Sequence, residues 1–521
     1  MSEKKRFHPI ALITYFMTTL KGLIYLIILA FINIASSALV SLATVFVIIL
    51  ICLISALVRY FTRTYSINDD KIVIYSGIFV KKETEIPYER IQTIKQRQWF
   101  FYKPFNIVQI LIETGSTSDA KAEASLLAVD ASLIDLIEDY RYKRKKNITT
   151  EVESTSDLPM DSNDLSYQYA EENNLEGEEA LEDEEIIYEY KLSFKEIILY
   201  AITDLNIIAT TIPILLIIIS FVLENSFLLD KVPDGVYTGI DAFLAKGTFF
   251  VIIIIVVFSI ILFMIISVVK SFFYYFEFTV TCSRKTITIE YGVFERKTQK
   301  IPLNKVQGIK IYQQAVRKLL TMSSVEIVLI GGQENKGENT LEKKVLVLPL
   351  INTKHMYEAL QKIFPTYTFE EPEINYLSRN KLFYFWRWTV LFMLPITIVC
   401  FYFFTFIGMI PLVLSIIFLF FNWLDCRYQG YAIMDENLIA IQNFSGVSKV
   451  QTLVDRSKIQ SFDKHSTLLL FRKNIGHFMF WIKSGMTPMS VGLKFVDLKD
   501  INNVQSFLTK SVAYNFKINK S

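Results

Sequence analysis

The apolar residues of this chain gather into three long blocks, and between the blocks the pattern changes to short alternating runs. Leu205–Leu223 and Val251–Val269 are each 19 residues long and hold no charge, close to the ~20 that an α-helix needs to cross a bilayer core. Gly22 to Val58 is nearly continuous, interrupted only by Asn33-Ile-Ala-Ser-Ser. It accommodates two short helices with a tight turn, or a re-entrant hairpin. The second block pairs Ile197–Leu223 with Thr248–Val269 through the polar stretch Glu224–Gly247. The third pairs Leu382–Phe404 with Gly408–Leu424. The pattern predicts six membrane spans in three hairpins.

After each hairpin come β-branched, partly alternating runs of the kind that half-buried strands show: Lys71-Ile-Val-Ile-Tyr, Thr286-Ile-Thr-Ile-Glu and Leu438-Ile-Ala-Ile-Gln. A glycine turn follows each, at Gly77, Gly292 and Gly446. Then comes a third recurring element: Ile86-Pro-Tyr-Glu-Arg-Ile-Gln, Ile301-Pro-Leu-Asn-Lys-Val-Gln and Val454-Asp-Arg-Ser-Lys-Ile-Gln. From Arg90 to Lys305 to Lys458 the copies are 215 and 153 residues apart, far beyond a solenoid period of ~20–50 residues. One hairpin-plus-module unit is therefore used three times. Helical spacing closes each module, at Ser125–Lys146, Thr353–Phe364 and Leu498–Val512.

The predicted order is an N-terminus (1–21), hairpin (22–58), module (59–146), linker (147–190), hairpin (191–270), module (271–375), hairpin (376–424) and module (425–521). The linker holds fifteen Asp or Glu and no Lys or Arg, so it lacks the apolar surface needed to offset ordering entropy. Basic residues cluster at the hairpin feet (Lys4, Lys5, Arg6, Lys21, Arg59, Arg63, Lys270, Arg284, Arg427), whereas Glu224–Gly247 is mainly acidic. By the positive-inside rule, and because hairpins return the chain to the side it left, both termini and all modules are expected in the cytoplasm.

The Arg6-Phe7-His8-Pro9 opening, the hairpin-then-module order, and the Gly-apolar-Phe turn followed by Ile-Pro-x-x-Lys/Arg-Ile/Val-Gln (Gly77–Gln92 and Gly292–Gln307) resemble bacterial membrane proteins with pleckstrin-homology (PH) domains of the YdbS/YdbT type. The resemblance covers the chain apart from the acidic linker. The third copy departs from it, with Val454-Asp455 in place of Ile-Pro and Ser448 in place of Phe. The resemblance implies an α+β membrane protein: six transmembrane helices in three hairpins, alternating with PH-like modules. Each module would be a bent barrel or sandwich closed by a C-terminal helix. It also implies a bacterial cytoplasmic membrane, no known enzymatic reaction, and a shorter single-module PH protein of the same family as a partner.

The recurrent bases Arg90, Lys305 and Lys458 are candidates for a headgroup or peptide contact, or simply mark a strand end. Residues 270–381 hold 17 Lys or Arg against 11 Asp or Glu, and residues 425–521 hold 13 against 7. Attraction of ~1 kcal/mol per basic residue near an anionic leaflet favours lying against it. The run Arg141, Lys143, Arg144, Lys145 and Lys146 is the densest patch, able to meet the membrane or pair with the acidic linker. Asp204 and Arg387 are the ionisable groups next to apolar spans, with Arg387 between Trp386 and Trp388 in an aromatic belt. The four cysteines form no CxxC, and the four histidines no metal-ligand spacing. No cofactor, catalytic residue or nucleic-acid partner is expected, and nothing specifies homo-oligomerisation. The sequence reads as a membrane-anchored adaptor or scaffold of the cell envelope; a transporter-like role of the six helices is the alternative. Ile327–Ile330 or Lys344–Leu348 are expected to offer sheet edges to an added strand.

Overall fold

The computed structural model describes residues 4–32, 38–78, 80–114, 124–140, 186–204, 257–259, 261–329, 345–404, 409–484 and 488–518. The basic run 141–146, most of the acidic linker, the Glu224–Gly247 loop, and the apolar stretches 205–223 and 251–256 lie outside them.

The first repeat begins before its hairpin. A two-residue strand, β1 (Lys5–Arg6), precedes the helices Ala11–Ile32 and Ala38–Thr62 and pairs antiparallel with β2 (Thr64–Ile67), which follows them. At ~1.5 Å per residue, the 22 residues of the first helix cover roughly 33 Å. That helix starts at Ala11 rather than Gly22, with Lys21 inside it. Then come β3 (Lys71–Ser76), β4 (Lys82–Pro87), β5 (Ile91–Trp99), β6 (Ile107–Thr114) and β7 (Ala124–Asp130). The helix expected over Ser125–Lys146 is corrected accordingly. Leu126 and Leu127 sit in β7, and helix is present only over 132–140 of the described residues. A short apolar run fits either period, and cross-strand pairing with β6 decides it.

The second repeat supplies β8 (Tyr188–Lys191), β9 (Thr279–Cys282), β10 (Thr286–Tyr291), β11 (Glu295–Pro302), β12 (Val306–Gln314), β13 (Met322–Leu329) and β14 (Val345–Asn352). The third supplies β15 (Asn375–Tyr376), β16 (Gly430–Ile433), β17 (Leu438–Ser445), β18 (Ser448–Asp455), β19 (Ile459–His465), β20 (Ile475–Ile482) and β21 (Met489–Asp497). Helices Thr353–Ile363 and Leu498–Ile518 close these repeats. β8 extends order into the end of the segment read as linker.

In each repeat the strand before the hairpin lies beside the strand after it. β15 pairs with β16 around the helices Leu382–Phe404 and Met409–Tyr428. β8 neighbours β9, flanked by bonds from Ile187 N to Cys282 O (2.9 Å) and from Leu192 N to Phe278 O (3.0 Å). At Gly430 the approach leaves no room for a side chain, since a Cβ there would lie 2.7 Å from Asn375 O.

The strands form open sheets, in the orders β1-β2-β3-β4, β7-β6-β5-β11-β10-β9-β8, β14-β13-β12-β18-β17-β16-β15 and β19-β20-β21. Of the expected barrel or sandwich, no closed barrel forms among the described residues. The fourth and fifth strands of a repeat are separated by a 3-10 turn and enter different sheets, so each is free to pair with a neighbouring repeat. β13, with Ile327, is flanked on both sides and offers no edge; β14 does.

Two compact units result, each with its own core. One comprises the described parts of Met1–Glu189 with Thr281–Leu303; the other comprises Tyr190–Val280, Asn304–Leu329 and Lys344–Ser521. In the first, Ile72, Ile86, Tyr88, Ile110, Leu126 and Ile137 are buried together with Ala11, Tyr15 and Ala56 of the first hairpin. In the second, Ile441, Phe478, Phe480, Leu493, Ile501 and Val504 form a core. Phe385 and Cys426 of the third hairpin pack on Ile475 and Phe495. Among the described residues four helices, Leu42–Thr62, Val257–Tyr275, Arg379–Phe403 and Pro411–Tyr428, are long and apolar enough to cross a membrane. The count of six is not reached among them.

All three repeats keep one unusual backbone feature. Asn106, Thr321 and Asn474, spaced like the repeats, have left-handed φ of 52°, 54° and 55°. Asparagine accepts that region readily, and a β-branched threonine there is held against its preference. The third repeat therefore keeps the module's backbone despite its divergent turn.

Candidate functional site

The shared sheets create two seams. In the first, β5 pairs with β11, from Ile94 opposite Lys300 to Trp99 opposite Glu295. In the second, β12 pairs with β18, from Ile309 opposite Leu453 to Gln314 opposite Ser448. Ile309 lies 215 residues after Ile94, and Leu453 lies 153 after Lys300. These are the spacings of the repeats themselves. Both seams therefore have one register.

Their chemistry differs. In the first seam Arg97 faces Lys297 directly, a like-charge pair that disfavours pairing. The Glu295 carboxylate lies between them, 3.7 Å from Arg97 Nε and 3.5 Å from Lys297 Nζ. The second seam buries more apolar surface, with Ile309, Ile311, Val450 and Leu453 each at most 5 % exposed, between polar residues such as Gln313, Lys449 and Gln451. Beside it opens a small polar pocket of about 70 Å³, lined by Gln313, Tyr357, Glu371, Gln442, Lys449 and Gln451. Tyr357 OH donates to Gln451 Oε1 at 3.3 Å, and Gln442 Nε2 donates to Tyr428 O at 2.8 Å. Gln451 Nε2 and Gln442 Oε1 have no protein partner. Burial pulls the Lys449 ammonium below its usual range, Lys318 adding to the shift and Glu371 opposing it. A small polar guest with both donors and acceptors, water included, suits these groups.

Arg90, Lys305 and Lys458 each end the 3-10 turn that carries the chain from one sheet to the next, over Tyr88–Arg90, Leu303–Lys305 and Arg456–Lys458. They occupy one position, once per repeat, beside the seam strands. Arg90 is exposed and the other two are half-buried. The turn also explains the missing proline. Pro87 presets φ at −63° before the first turn. At the equivalent place Asp455 has φ −73°, and its carboxylate accepts from Ser457 N at 2.6 Å. An aspartate cap replaces a proline.

Asp204 follows the helix Phe194–Ile202 and accepts from Gln314 Nε2 at 3.2 Å. Next to it lies a group that sequence reasoning missed. Arg317, 3 % exposed, donates to Thr203 Oγ1 (3.0 Å), Ser324 Oγ (2.5 Å) and Tyr200 O (3.3 Å), with its guanidinium 4.4 Å from the Tyr200 ring centre. Tyr200 O belongs to the last turn of that helix, where the partial negative charge suits a cation. The arginine thus ties the foot of the second hairpin to β13. Nothing in its local sequence sets it apart from a surface base.

Arg387 lies 5.8, 5.6 and 5.5 Å from the ring centres of Tyr384, Trp388 and Phe495. Lys381, 7 % exposed, forms an ion pair with Asp497 nearby. His477 Nδ1 accepts from Phe495 N at 3.2 Å, and its ring stacks on His465 with centroids 5.0 Å apart. Burial, with His465, Lys494 and Arg387 nearby, lowers the His477 pKa to about 4. The ring is therefore neutral at pH 7.

A family model described as Bacterial PH domain matches residues 18–143 and 235–364. The UPF0699 transmembrane protein YdbT of Bacillus subtilis (strain 168) is 27 % identical over 474 residues, covering 89 % of this chain and 90 % of that relative. No solved structure matches at a meaningful level. The chain thus matches the bacterial PH domain in two stretches and is similar along nearly its whole length to a transmembrane protein, in keeping with its apolar helices.

Proposed function

We propose that this protein is a non-enzymatic scaffold of the bacterial cell envelope, holding three PH-like modules on the cytoplasmic face of the membrane. The observation that carries this reading is the double use of strand pairing. Pairs β1–β2, β8–β9 and β15–β16 hold the strands that flank each hairpin side by side, which supports an even number of crossings per hairpin. Seams β5–β11 and β12–β18 join successive modules. The basic feet favour the cytoplasmic side. The basic balance of the second and third modules favours contact with anionic headgroups, with Arg90, Lys305, Lys458 and the run Arg141–Lys146 each a candidate contact for lipid or a shorter single-module PH protein.

The transporter reading is less well supported. Asp204 is engaged by Gln314, and Arg387 sits among aromatic rings at a helix end, so anchoring accounts for both. Flux into vesicles that collapses in Asp204→Asn or Arg387→Gln, with the modules still folded, would favour transport. The scaffold is tested by cross-linking in membranes followed by detergent extraction. A companion membrane protein in fixed ratio is expected, and recovery of lipid alone contradicts it. A cysteine at Asp234 should react with an impermeant maleimide from outside the cell; reaction from inside alone overturns the topology.

A further inference from the structure

We infer that the chain assembles head to tail with further copies of itself, through a third seam formed by β19 of one copy and β4 of the next. This rests on the scaffold reading for one condition, that both strands lie on the same side of the membrane.

The repeat explains which edges are left open. β7, β14 and β21 are sheet edges in all three modules, so their exposure belongs to the module. β4 and β19 differ. Their counterparts β11 and β18, and β5 and β12, are all interior strands. Among the described residues β4 and β19 each have a pairing partner on one side alone. Each therefore presents half of a junction that the chain forms twice in one register. Exposure agrees: Asp463, Lys464 and His465 are exposed, whereas Ile309 and Ile311 on the equivalent β12 are buried.

The charges of β4 do not argue against pairing, although charged edge strands often serve to block it. β11 is equally charged, reading Glu295-Arg-Lys-Thr-Gln-Lys, and lies inside a seven-stranded sheet. Carrying the seam register over sets Lys464 opposite Glu83, an attractive pair. It sets Phe462 opposite Glu85 and Asp463 opposite Thr84, diagonal to Lys82. His465 meets Lys82, the same basic-on-basic position that Arg97 and Lys297 occupy in the first seam. One strand comes from the first module and the other from the third, so the contact is heterologous. It propagates into a ring or a filament in the membrane plane and does not stop at a symmetric dimer.

The test uses the full chain in its membrane, in two differently tagged copies, one carrying Glu83→Cys and the other Lys464→Cys. A short bis-maleimide should yield a product bearing both tags. Moving the cysteine to Thr84 turns it to the other sheet face and should cut that product at least ~5-fold. Glu83→Lys should suppress assembly of unmodified edges, and Lys464→Glu should restore it. The same cysteines report sidedness with an impermeant maleimide. Labelling from one side without a doubly tagged product overturns this inference and leaves the scaffold standing. Labelling from opposite sides overturns both. A cross-link formed within a single copy, or to a different protein in place of a second copy, also overturns the inference.

Discussion

The two seams set the same six residue pairs against one another with almost opposite chemistry. Lys300 in the first stands where Leu453 stands in the second. The Arg97–Glu295–Lys297 cluster has its counterpart in Tyr312, Ser448 and Val450. A register that survives such exchange is not set by cross-strand side-chain pairs. It is set by the backbone path: a 3-10 turn of fixed length delivers the fifth strand, and a module core orients both strands. Side chains then tune how firmly each seam holds.

The comparison can be broken most severely at its one equivalent pair of opposite character. Leu453→Ala should destabilise the second unit by about 2–5 kcal/mol, the cost of a buried leucine truncation, read as a lowered denaturant midpoint. Lys300→Ala, at the same register position, should stay within about 0.5 kcal/mol, as exposed positions do.

Acid gives a smaller contrast. His477 in β20 has Gln109 and Ser324 at the equivalent places in the first and second repeats. Its pKa falls from 6.5 to about 4 on folding. Between those values the unfolded chain binds the extra proton, so stability declines as pH falls through that window. The third repeat should therefore lose stability from about pH 6.5 down to pH 4, and His477→Gln should flatten that dependence. Thermal unfolding followed by module-specific fluorescence would read it.

Smallest is the electrostatic term. Glu295→Gln leaves Arg97 facing Lys297 without the carboxylate between them, and should weaken the first seam by about 1 kcal/mol, the upper range for partly exposed pairs. High salt should reduce that loss. The second seam rests more on its buried Ile309, Ile311, Val450 and Leu453, and its strength should depend less on salt.

Much of this architecture is legible in the sequence. The alternation in Thr286-Ile-Thr-Ile marks β10, and the spacing of Arg90, Lys305 and Lys458 places three equivalent turns in three modules. The partners of those strands are not legible, because a period of two says which face is buried and not which strand lies alongside. Glu295-Arg-Lys-Thr-Gln-Lys reads as a solvent edge and is an interior strand. The hairpin-bracketing strands Lys5–Arg6 and Asn375–Tyr376 are two residues long, too short to show any period. Of the candidate residues, Arg90, Lys305 and Lys458 were found by repetition. Arg317 and His477 were not, because their importance comes from burial.

The shared register is tested most directly by paired cysteines within one chain. Gln96 with Thr298 and Ile311 with Gln451 are equivalent opposed pairs in the two seams. Both pairs should form intrachain disulfides under mild oxidation, and Lys95 with Thr298 or Lys310 with Gln451 should not. Closure of either offset pair in preference, or of neither opposed pair, would contradict modules joined twice in one register.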